Sequence, residues 1–256
     1  TFAVVYGILY VANLIHPVLR FCLETFFIYQ ILATKSLKTE SMKVYKKLKE
    51  GDLIGARKEV SYLVGRDTEN LDESEVAKAD VETIAENTAD GVIAPMLFIA
   101  IGGAPLGFAY KAVNTLDSMV AYKNEELINI GFFSAKMDDI CNFIPARFAA
   151  VMLMIASLIL RFDFKGAVKI FKRDRFAHLS PNSAQTEAVA AGALQIQLGG
   201  THNYFGKAVV KPTIGDDIRP VEYEDIKRTN QLLYVSAVLS MAVCCLITFL
   251  IYVQLF

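Results

Sequence analysis

The sequence predicts an all-α, polytopic helical integral membrane protein, and three observations support this fold class. Hydrophobic residues make up 54% of the 256 residues and charged residues 21%, with a mean hydropathy of +0.38, whereas soluble domains carry about 25% charge. Strand signals are weak. The apolar residues are concentrated in four runs, about 1–33, 92–110, 143–160 and 232–256. This pattern excludes a collagen, a disordered chain and an ordinary cytosolic globule.

The first apolar run, 1–33, is too long for one upright membrane helix. At 1.5 Å per residue it would extend about 50 Å, whereas a hydrocarbon core is about 30 Å thick. His16 and Pro17 interrupt its middle, and proline breaks a helix interior. The sequence therefore predicts a broken helix or a tight helix pair. Because the chain opens at Thr1 inside this run, we expect a further segment of the protein to precede it.

The other three runs differ in how readily they could cross a bilayer. Residues 232–256 are 25 residues without a charge, about 37 Å as a helix, which predicts a transmembrane span. Residues 143–160 carry a single charge, Arg147, whose long side chain can reach the interface. Residues 92–110 contain two prolines and three glycines. That run could either span the membrane or dip into it and return.

Three long polar segments, 35–91, 110–142 and 161–230, complete a single membrane-embedded domain. Connections longer than about 15 residues are usually functional. The segments contain 10, 3 and 11 Lys and Arg residues, so the positive-inside rule places the first and third in the cytoplasm and the second outside. Within the first segment, apolar spacing predicts an amphipathic helix hairpin at 43–63 and a further helix at 72–89.

Net charge and cysteine positions exclude further classes of protein. The formal net charge of −1 provides no polyanion-binding surface, so we expect no nucleic-acid partner. The four cysteines have no metal-ligand spacing, and three of them lie in or beside apolar runs, which argues against a disulfide framework and against a zinc site.

An acidic helix face precedes the second apolar run. Glu82, Glu86 and Asp90 recur every four residues, so a helix would align their carboxylates, with Asn87 alongside. Like charges aligned in this way repel each other unless a cation or a positively charged substrate lies between them. The alternative is an ordinary solvated acidic face.

Further ionisable residues lie next to the apolar runs, where charged side chains tend to be functional. Asp138 and Asp139 are carboxylates of the kind that bind Mg²⁺, which takes one or two carboxylates plus substrate phosphates. His178 can act as an acid, a base or a hydrogen-bond donor near neutral pH. Lys211, near the Gly199–Gly200 loop, suits phosphate, although the chain has no Walker A and no GxGxxG pattern. Taken singly, each feature also has a structural explanation.

Eight sequence blocks cover most of residues 60–220. They are VGRDT (64–68), VETIAENTADGVIAP (81–95), YKAVNTLDSMVAY (110–122), AKMDD (135–139), NFIPAR (142–147), HLSPNSA (178–184), GALQIQLGG (192–200) and KPTIGDD (211–217). In content and order they resemble the adenosylcobinamide-phosphate synthase family, the CobD/CbiB membrane proteins of cobalamin assembly. The chain departs from that family at Ala121, where Gly is usual, at Gln185–Thr186, and in lacking the family's N-terminal membrane segment.

The resemblance implies an ATP-dependent amide ligase in the cell membrane, with its active site facing the cytoplasm. Members of the family join adenosylcobyric acid, a corrinoid, to (R)-1-amino-2-propanol phosphate or ethanolamine phosphate, giving adenosylcobinamide phosphate. ATP would be the co-substrate, and Mg²⁺ would neutralise phosphate charge. The expected partners are these two substrates, membrane lipid and other cobalamin-assembly enzymes.

Side-chain chemistry then assigns expected roles within these blocks. The expected metal ligands are Asp90, Asp138 and Asp139. The expected catalytic residues are Glu86, His178 and Asp117, with Glu86 or His178 accepting the proton of the attacking ammonium. The expected substrate- and phosphate-binding residues are Arg66, Asn87, Asn114, Lys136, Arg147, Ser180, Asn182 and Lys211.

Two alternatives and one conflict accompany this hypothesis. Broken apolar runs beside acidic residues also fit a small-molecule transporter, and the hairpin at 43–63 fits a non-catalytic scaffold for corrinoid enzymes.

A crossing at 92–110 would place Asp117 and Asp138 outside, away from ATP. Either 92–110 is re-entrant or 110–142 folds back into a polar cavity. We expect the two groups of motifs to meet in one cavity at membrane depth.

Overall fold

The computed structural model describes residues 1–120, 128–204 and 206–255, so Ala121 and Tyr122 of the third sequence block lie outside the described residues. The described chain is predominantly helical, which confirms the all-α class. Its helices are α1 (Phe2–Ile15), α2 (Pro17–Ile31), α3 (Thr34–Lys49), α4 (Leu53–Ser61), α5 (Glu73–Asn87), α6 (Ala94–Val120), α7 (Ile128–Ile159), α8 (Phe164–Asp174), α9 (Ser183–Leu194) and α10 (Glu224–Leu255).

Three stretches of the described chain are long and apolar enough to cross a membrane. They are Glu73–Met119, Gly131–Ile159 and Glu224–Ile251. Large apolar side chains such as Ile144 and Phe249 are exposed on them. Exposed apolar surface of this extent is unfavourable in water, so it fits contact with lipid and a helical membrane protein.

The first apolar run forms two helices that meet at His16. The His16 N–H donates to Ala12 O at the end of α1, and its Nδ1 accepts from Val18 N at the start of α2. Pro17 occupies the first position of α2, where a missing N–H costs nothing. The run therefore folds as a helix pair, which packs against α6.

Helix α6 is broken at Gly102–Gly103, and its two halves form a hairpin. The second glycine has φ of +63°, a conformation that favours glycine. Beyond it the chain returns: the Phe98 and Tyr110 ring centroids are 4.8 Å apart, and Tyr110 Oη lies 3.0 Å from Asp90 O. Twenty residues of continuous helix would separate those ends by about 30 Å. The run 92–110 therefore turns back on itself at the glycine pair, as the re-entrant alternative requires, and we call this reversal the re-entrant hairpin.

The re-entrant hairpin returns segment 110–142 to the first group of motifs. Because the chain turns back at the glycine pair, Asn114 and Asp138 come to lie near the end of α5, with Asn114 Nδ2 3.3 Å from Asp138 Oδ1. Tyr110 Oη also donates to Asn142 Oδ1 at 2.8 Å. The first and second groups of motifs therefore meet in one region.

Helix α5 passes into α6 through a π-helical turn, Thr88–Ile93. A π-turn holds more residues than an α-helical turn, so it shifts the register of the side chains that follow. Upstream, Asp72 caps α5 in a reciprocal capping box with Glu75. Glu82, Glu86 and Asp90 are all partly exposed, whereas Ile84, Ala85, Thr88 and Ala89 between them are buried. The three carboxylates therefore lie on the less buried side of this segment, as their spacing predicts, and the π-turn changes the register of the residues after Asp90.

Helices α8 and α9 pack against each other at two glycines, one on each helix. A Cβ atom on Gly166 would lie 2.6 Å from Gly192 O, and one on Gly192 would overlap Gly166 O. Helix α9 is buried along its whole length. The contact requires glycine on both helices, because any side chain would separate the two backbones.

We expect Gly192→Ala to lower the free energy of unfolding by about 1–3 kcal/mol, because the added methyl group overpacks the crossing. Thermal unfolding in detergent measures the effect. Gly7→Ala is the matched control, since a Cβ at this helical glycine meets no atom within 4 Å in the described part of the chain. Equal melting temperatures for Gly192→Ala and the wild type would contradict the expectation.

The sequence did not predict the β-hairpin of β1 (Leu198–Tyr204) and β2 (Lys207–Ile214). The strands are antiparallel, with Leu198 opposite Ile214 and an irregularity between Gly199 and Thr201. Strand β1 begins Leu-Gly-Gly-Thr-His and lacks an apolar alternation, so pairing with β2 and packing at its base decide its conformation. The hairpin covers one side of the site described next.

Candidate active site

A cavity of about 170 Å³ lies between α5, α9, the β-hairpin and the loop after α4. We call it the polar cavity, because ionisable side chains of both signs dominate its lining. It is lined by Arg66, Glu82, Glu86, His178, Glu187, Tyr204 and Lys211, together with Leu63, Val64, Gly65, Thr83 and Asn87. It therefore brings together five of the predicted site residues, Arg66, Glu86, Asn87, His178 and Lys211.

Arg66 ties three elements together at one end of the polar cavity. Its guanidinium group forms an ion pair with the Glu82 carboxylate, and the two side chains are only 7% and 12% exposed. Arg66 Nη1 also lies 2.8 Å from His202 Nδ1, and Glu82 Oε1 accepts the Gly199 N–H at 2.7 Å. The Arg66 charge is thus largely compensated within the protein, and its phosphate-binding role stays a prediction.

His178 faces the polar cavity as a neutral ring. Burial lowers the pKa of His178, and the Lys211 charge adds to this against the opposing effect of Glu86. His178 Nδ1 accepts the Ser180 N–H at 3.1 Å, so the proton of the neutral ring resides on Nε2. His178 therefore offers a hydrogen-bond donor to a ligand in the cavity.

His202 is a second half-buried imidazole that the sequence did not single out. Burial, followed by the positive charge of Arg66, lowers the pKa of His202 to about 4. The ring is therefore neutral at physiological pH and can accept a hydrogen bond from the Arg66 guanidinium. It positions Arg66 from the β-hairpin side.

We expect His202 to make the protein less stable as the pH falls from 6.5 towards 4. In this window the unfolded chain protonates the imidazole but the folded protein does not, so the unfolded state binds more protons. His202→Gln keeps an acceptor for Arg66 and should lose less stability across the window. Melting temperatures between pH 4 and about pH 8 check this. If the melting temperatures of the wild type and of His202→Gln fell equally with pH between 6.5 and 4, the expectation would be refuted. Above pH 7 the two melting-temperature curves should run parallel.

Glu187 and Lys211 both line the polar cavity, where Glu187 is buried and Lys211 is half-buried. Burial, followed by the charges of Glu86 and Glu82, raises the pKa of Glu187 well above its usual range, which favours the protonated carboxyl. Burial opposes the Lys211 charge, but contact with Tyr204 and nearby carboxylates outweigh it and raise the pKa of Lys211. The cationic Lys211 favours an anionic ligand, and the raised pKa of Glu187 weakens the opposing repulsion.

Glu187 was missed as a site residue by sequence reasoning, although a signal was present. It is the one charged residue in helix α9, which otherwise consists largely of alanine and other small residues. A carboxyl group buried among small apolar residues is costly unless it has a function or a partner. That mismatch could have marked Glu187.

A second polar region lies where the re-entrant hairpin meets α7. We call Asp90, Asp117 and Asp138 the acidic cluster. Asp138 is buried and accepts hydrogen bonds from Asn142 Nδ2 at 2.9 Å and Asn114 Nδ2 at 3.3 Å. Asp117 Oδ1 is buried without a hydrogen-bond partner among the described residues. All three carboxylates lie close enough to interact electrostatically.

Asp138 and Asp139 face different surroundings although they are adjacent. Successive residues of a helix point about 100° apart. Asp139 Oδ1 accepts from Ser180 Oγ at 3.0 Å, its other oxygen lies 3.8 Å from Lys136 Nζ, and its backbone carbonyl accepts from Asn182. Asp139 thus anchors the loop before α9, and its metal-binding role stays a prediction.

Arg147 and Lys136, two of the predicted phosphate-binding residues, lie beside this loop. Within the described part of the chain, neither of them lines the polar cavity. Arg147 Nη1 donates to Asn182 Oδ1 at 3.2 Å, and the guanidinium stacks 3.6 Å above the Phe143 ring centroid. Lys136 is 61% exposed. Their expected contacts with substrate phosphate stay predictions.

Glu86 connects the polar cavity to the acidic cluster. Its Oε1 accepts from Ser183 Oγ at 2.8 Å, and its charge acts on both Asp90 and Asp138. Ser183 opens α9 directly after Asn182, whose side chain holds Asp139 O. The loop 178–184 therefore joins α5 to α7, and the two polar regions are neighbours.

The carboxylates fit a cation that a phosphate substrate helps to bind. Within residues 1–120, 128–204 and 206–255, no group of three or more His, Cys, Asp or Glu side chains is arranged to hold a metal ion alone. Mg²⁺ bound with substrate phosphates needs only one or two protein carboxylates. Asp138 and the unpaired Oδ1 of Asp117 satisfy this smaller requirement.

The fold and the site together define a helical membrane protein with an ionisable cavity beside its re-entrant hairpin. The family model described as "CobD/Cbib protein" matches residues 1–233. The chain belongs to the CobD/Cbib family.

Curated relatives carry names from cobalamin biosynthesis. "Cobalamin biosynthesis protein CobD" of Clostridium perfringens (strain 13 / Type A) is 54% identical over 247 residues, covering 96% of this chain and 78% of the relative. The Klebsiella pneumoniae protein of the same name is 47% identical over 242 residues, or 94% and 76%. "Cobalamin biosynthesis protein CbiB" of Salmonella typhi is 48% identical with the same coverage. No solved structure matches the chain.

Proposed function

We propose that this protein is the adenosylcobinamide-phosphate synthase of cobalamin biosynthesis. It would be an ATP-dependent amide ligase that joins adenosylcobyric acid to (R)-1-amino-2-propanol phosphate or ethanolamine phosphate. Family membership supports the role in cobalamin biosynthesis. The observation that supports the ligase reaction is that Glu86 links the phosphate-compatible polar cavity to the acidic cluster.

The reaction sets three requirements for the site. The corrinoid carboxylate first attacks the γ-phosphorus of ATP, giving an acyl phosphate and ADP. The ammonium of the second substrate loses a proton, its nitrogen attacks the acyl carbon, and the bond to phosphate breaks, releasing inorganic phosphate. The site must neutralise phosphate charge, accept one proton and hold both substrates in contact.

The polar cavity meets the first requirement. Lys211 supplies a half-buried positive charge, and His178 supplies a donor at Nε2. Charge-assisted hydrogen bonds of this kind hold phosphate oxygens strongly. The raised pKa of Glu187 lessens its repulsion of phosphate. We assign this cavity to the phosphate groups of the substrates.

Glu86 is our candidate for the proton acceptor. It lies between the phosphate-compatible cavity and the acidic cluster, and Ser183 orients its carboxylate. His178 is the weaker candidate, because its Nδ1 is occupied by the Ser180 N–H. Asp117, with its unpaired oxygen, is a further catalytic candidate.

The acidic cluster would hold the magnesium ion that accompanies ATP. Asp90, Asp138 and Asp117 would supply oxygen ligands, and Asp117 is the member whose Oδ1 has no hydrogen-bond partner among the described residues. Bound there, Mg²⁺ would neutralise charge on the transferred phosphoryl group.

The polar cavity is smaller than the bulk of either large substrate. Ligand pockets for whole small molecules usually measure about 300–1,000 Å³, whereas this cavity measures about 170 Å³. We infer that the reacting ends of the substrates enter it, and that the corrinoid ring stays outside.

Release of phosphate from ATP by the purified protein in nanodiscs tests the proposal. Phosphate release should require both adenosylcobyric acid and the amino-alcohol phosphate, and mass spectrometry should detect the amide. Omitting each substrate in turn is the control. A transporter or a scaffold would release no phosphate under these conditions, and that result would refute the ligase.

A further inference from the structure

A second cavity, of about 390 Å³, lies at the tip of the re-entrant hairpin. Helices α1 and α2, the glycine break in α6 and the end of α10 enclose it, and within the described chain it shares no lining residue with the polar cavity. Its polar lining consists of Tyr6, Tyr10, Asn13, Arg20, Glu24 and Thr248, and the rest is mostly apolar. We call it the tip cavity.

The tip cavity contains an isolated pair of opposite charges. Arg20 is the only Lys or Arg in residues 1–34, and Glu24 is the only Asp or Glu in residues 1–39. Charged residues inside an apolar run are costly and usually have a function. Neither side chain is fully buried: Arg20 is 50% exposed and Glu24 is 26% exposed. Both charges are therefore accessible to a ligand.

Arg20 and Glu24 do not satisfy each other. Arg20 Nε lies 3.7 Å from Glu24 Oε2, whereas a charge-assisted hydrogen bond measures about 2.7–2.9 Å. Glu24 Oε1 also lies against the glycine break, 2.7 Å from where a Cβ on Gly103 would stand. The carboxylate therefore occupies a position that only a glycine at the turn leaves open.

Two tyrosines complete the tip cavity on the α1 side. Phe2, Tyr6 and Tyr10 stack along this helix, with ring centroids 6.2 and 6.5 Å apart. Tyrosine is typical of the membrane–water interface, where its ring contacts lipid and its hydroxyl meets headgroups. Aromatic ring faces also attract ammonium groups.

We propose that the tip cavity binds the headgroup of a zwitterionic phospholipid. The phosphate would lie at Arg20, and the ammonium would lie between Glu24 and the tyrosine rings. An anionic lipid would satisfy Arg20 but would meet repulsion from Glu24. Free phosphate would leave the apolar wall of Leu9, Ile101 and Ile251 uncovered. This inference does not depend on the proposed ligase reaction.

Lipid retention by the purified protein tests the proposal. The protein is exchanged into nanodiscs with equal phosphatidylethanolamine and phosphatidylglycerol, and native mass spectrometry identifies the lipid that stays bound after release. We expect phosphatidylethanolamine to dominate. Arg20→Gln and Glu24→Gln should each weaken its retention about tenfold, because each removes one charged hydrogen-bonding group. Arg20→Lys should retain part of the preference, because it keeps the charge.

The matched control is Glu40→Gln with Lys43→Gln. This ion pair has a similar spacing, three residues on α3, but lies outside the apolar runs and forms a 2.6 Å contact. It should leave lipid retention unchanged. The proposal is overturned if phosphatidylglycerol is retained as well as phosphatidylethanolamine, if inorganic phosphate displaces the lipid, or if both charge-removing variants keep the preference. Melting temperatures show that each variant is folded.

Discussion

Replacing Asp138 with alanine is expected to lower the rate of ligation by about 10³-fold or more while the protein stays in the membrane. The proposed magnesium ion contributes several kcal/mol of charge stabilisation, and each 1.36 kcal/mol corresponds to about tenfold in rate. Two asparagine amides fix the carboxylate of Asp138 within the acidic cluster. The rate of ATP-dependent amide formation checks the loss of activity, and membrane fractionation checks that the variant stays in the membrane.

Three further variants define what the Asp138 result means. Asp138→Asn keeps the side-chain size and should also be inactive, which separates lost chemistry from lost packing. Asp139→Asn should lower the rate of ligation less than Asp138→Asn, because Asp139 holds the loop at Ser180. Asp216→Asn is the matched control, since this carboxylate pairs with Lys169 and Arg173 on α8. Near-normal turnover in Asp138→Ala would remove this residue from the active site.

Replacing Arg66 with methionine is expected to lower the free energy of unfolding by about 3–5 kcal/mol, because it leaves the buried Glu82 carboxylate without its charged partner. Glu82→Gln should lower the free energy of unfolding by a similar amount, since it leaves the Arg66 charge without a partner. The double variant Arg66→Met/Glu82→Gln should recover part of the loss, because no unpaired charge remains. Thermal or denaturant unfolding in detergent measures all three.

Strict additivity in this cycle would show that Arg66 and Glu82 do not stabilise each other. Lys47→Met with Asp52→Asn provides the matched comparison, because that ion pair is more exposed, at 37% and 42%. Exposed pairs contribute about 0–1 kcal/mol. The two cycles should therefore differ clearly in their coupling energies.

The helical membrane fold could be predicted because its signals are local. Long uncharged runs identify lipid-compatible helices, His16–Pro17 divides the first run, and Asp72 with Glu75 marks the start of α5. The sequence blocks likewise contain nine of the twelve residues that line the polar cavity, and five of those nine were predicted site residues.

Other features depend on contacts between distant segments, so the sequence left them open. The glycines and prolines of 92–110 allowed a re-entrant path, but only packing of Tyr110 against Asp90 and Phe98 selects it. Strand β1 has little strand propensity and exists through its pairing with β2. The different surroundings of Asp138 and Asp139 follow from which elements pack on each side of α7.

The π-helical turn between α5 and α6 sets how the re-entrant hairpin is oriented relative to the polar cavity. Glu82 and Glu86 line the cavity assigned to phosphate, whereas Asp90, four residues further along, belongs to the acidic cluster. A π-turn contains extra chain relative to an α-helix. Deleting one residue between 91 and 93 would remove that extra chain and rotate α6, with its glycine break, relative to Glu82 and Glu86, so this segment is sensitive to length as well as to side-chain identity.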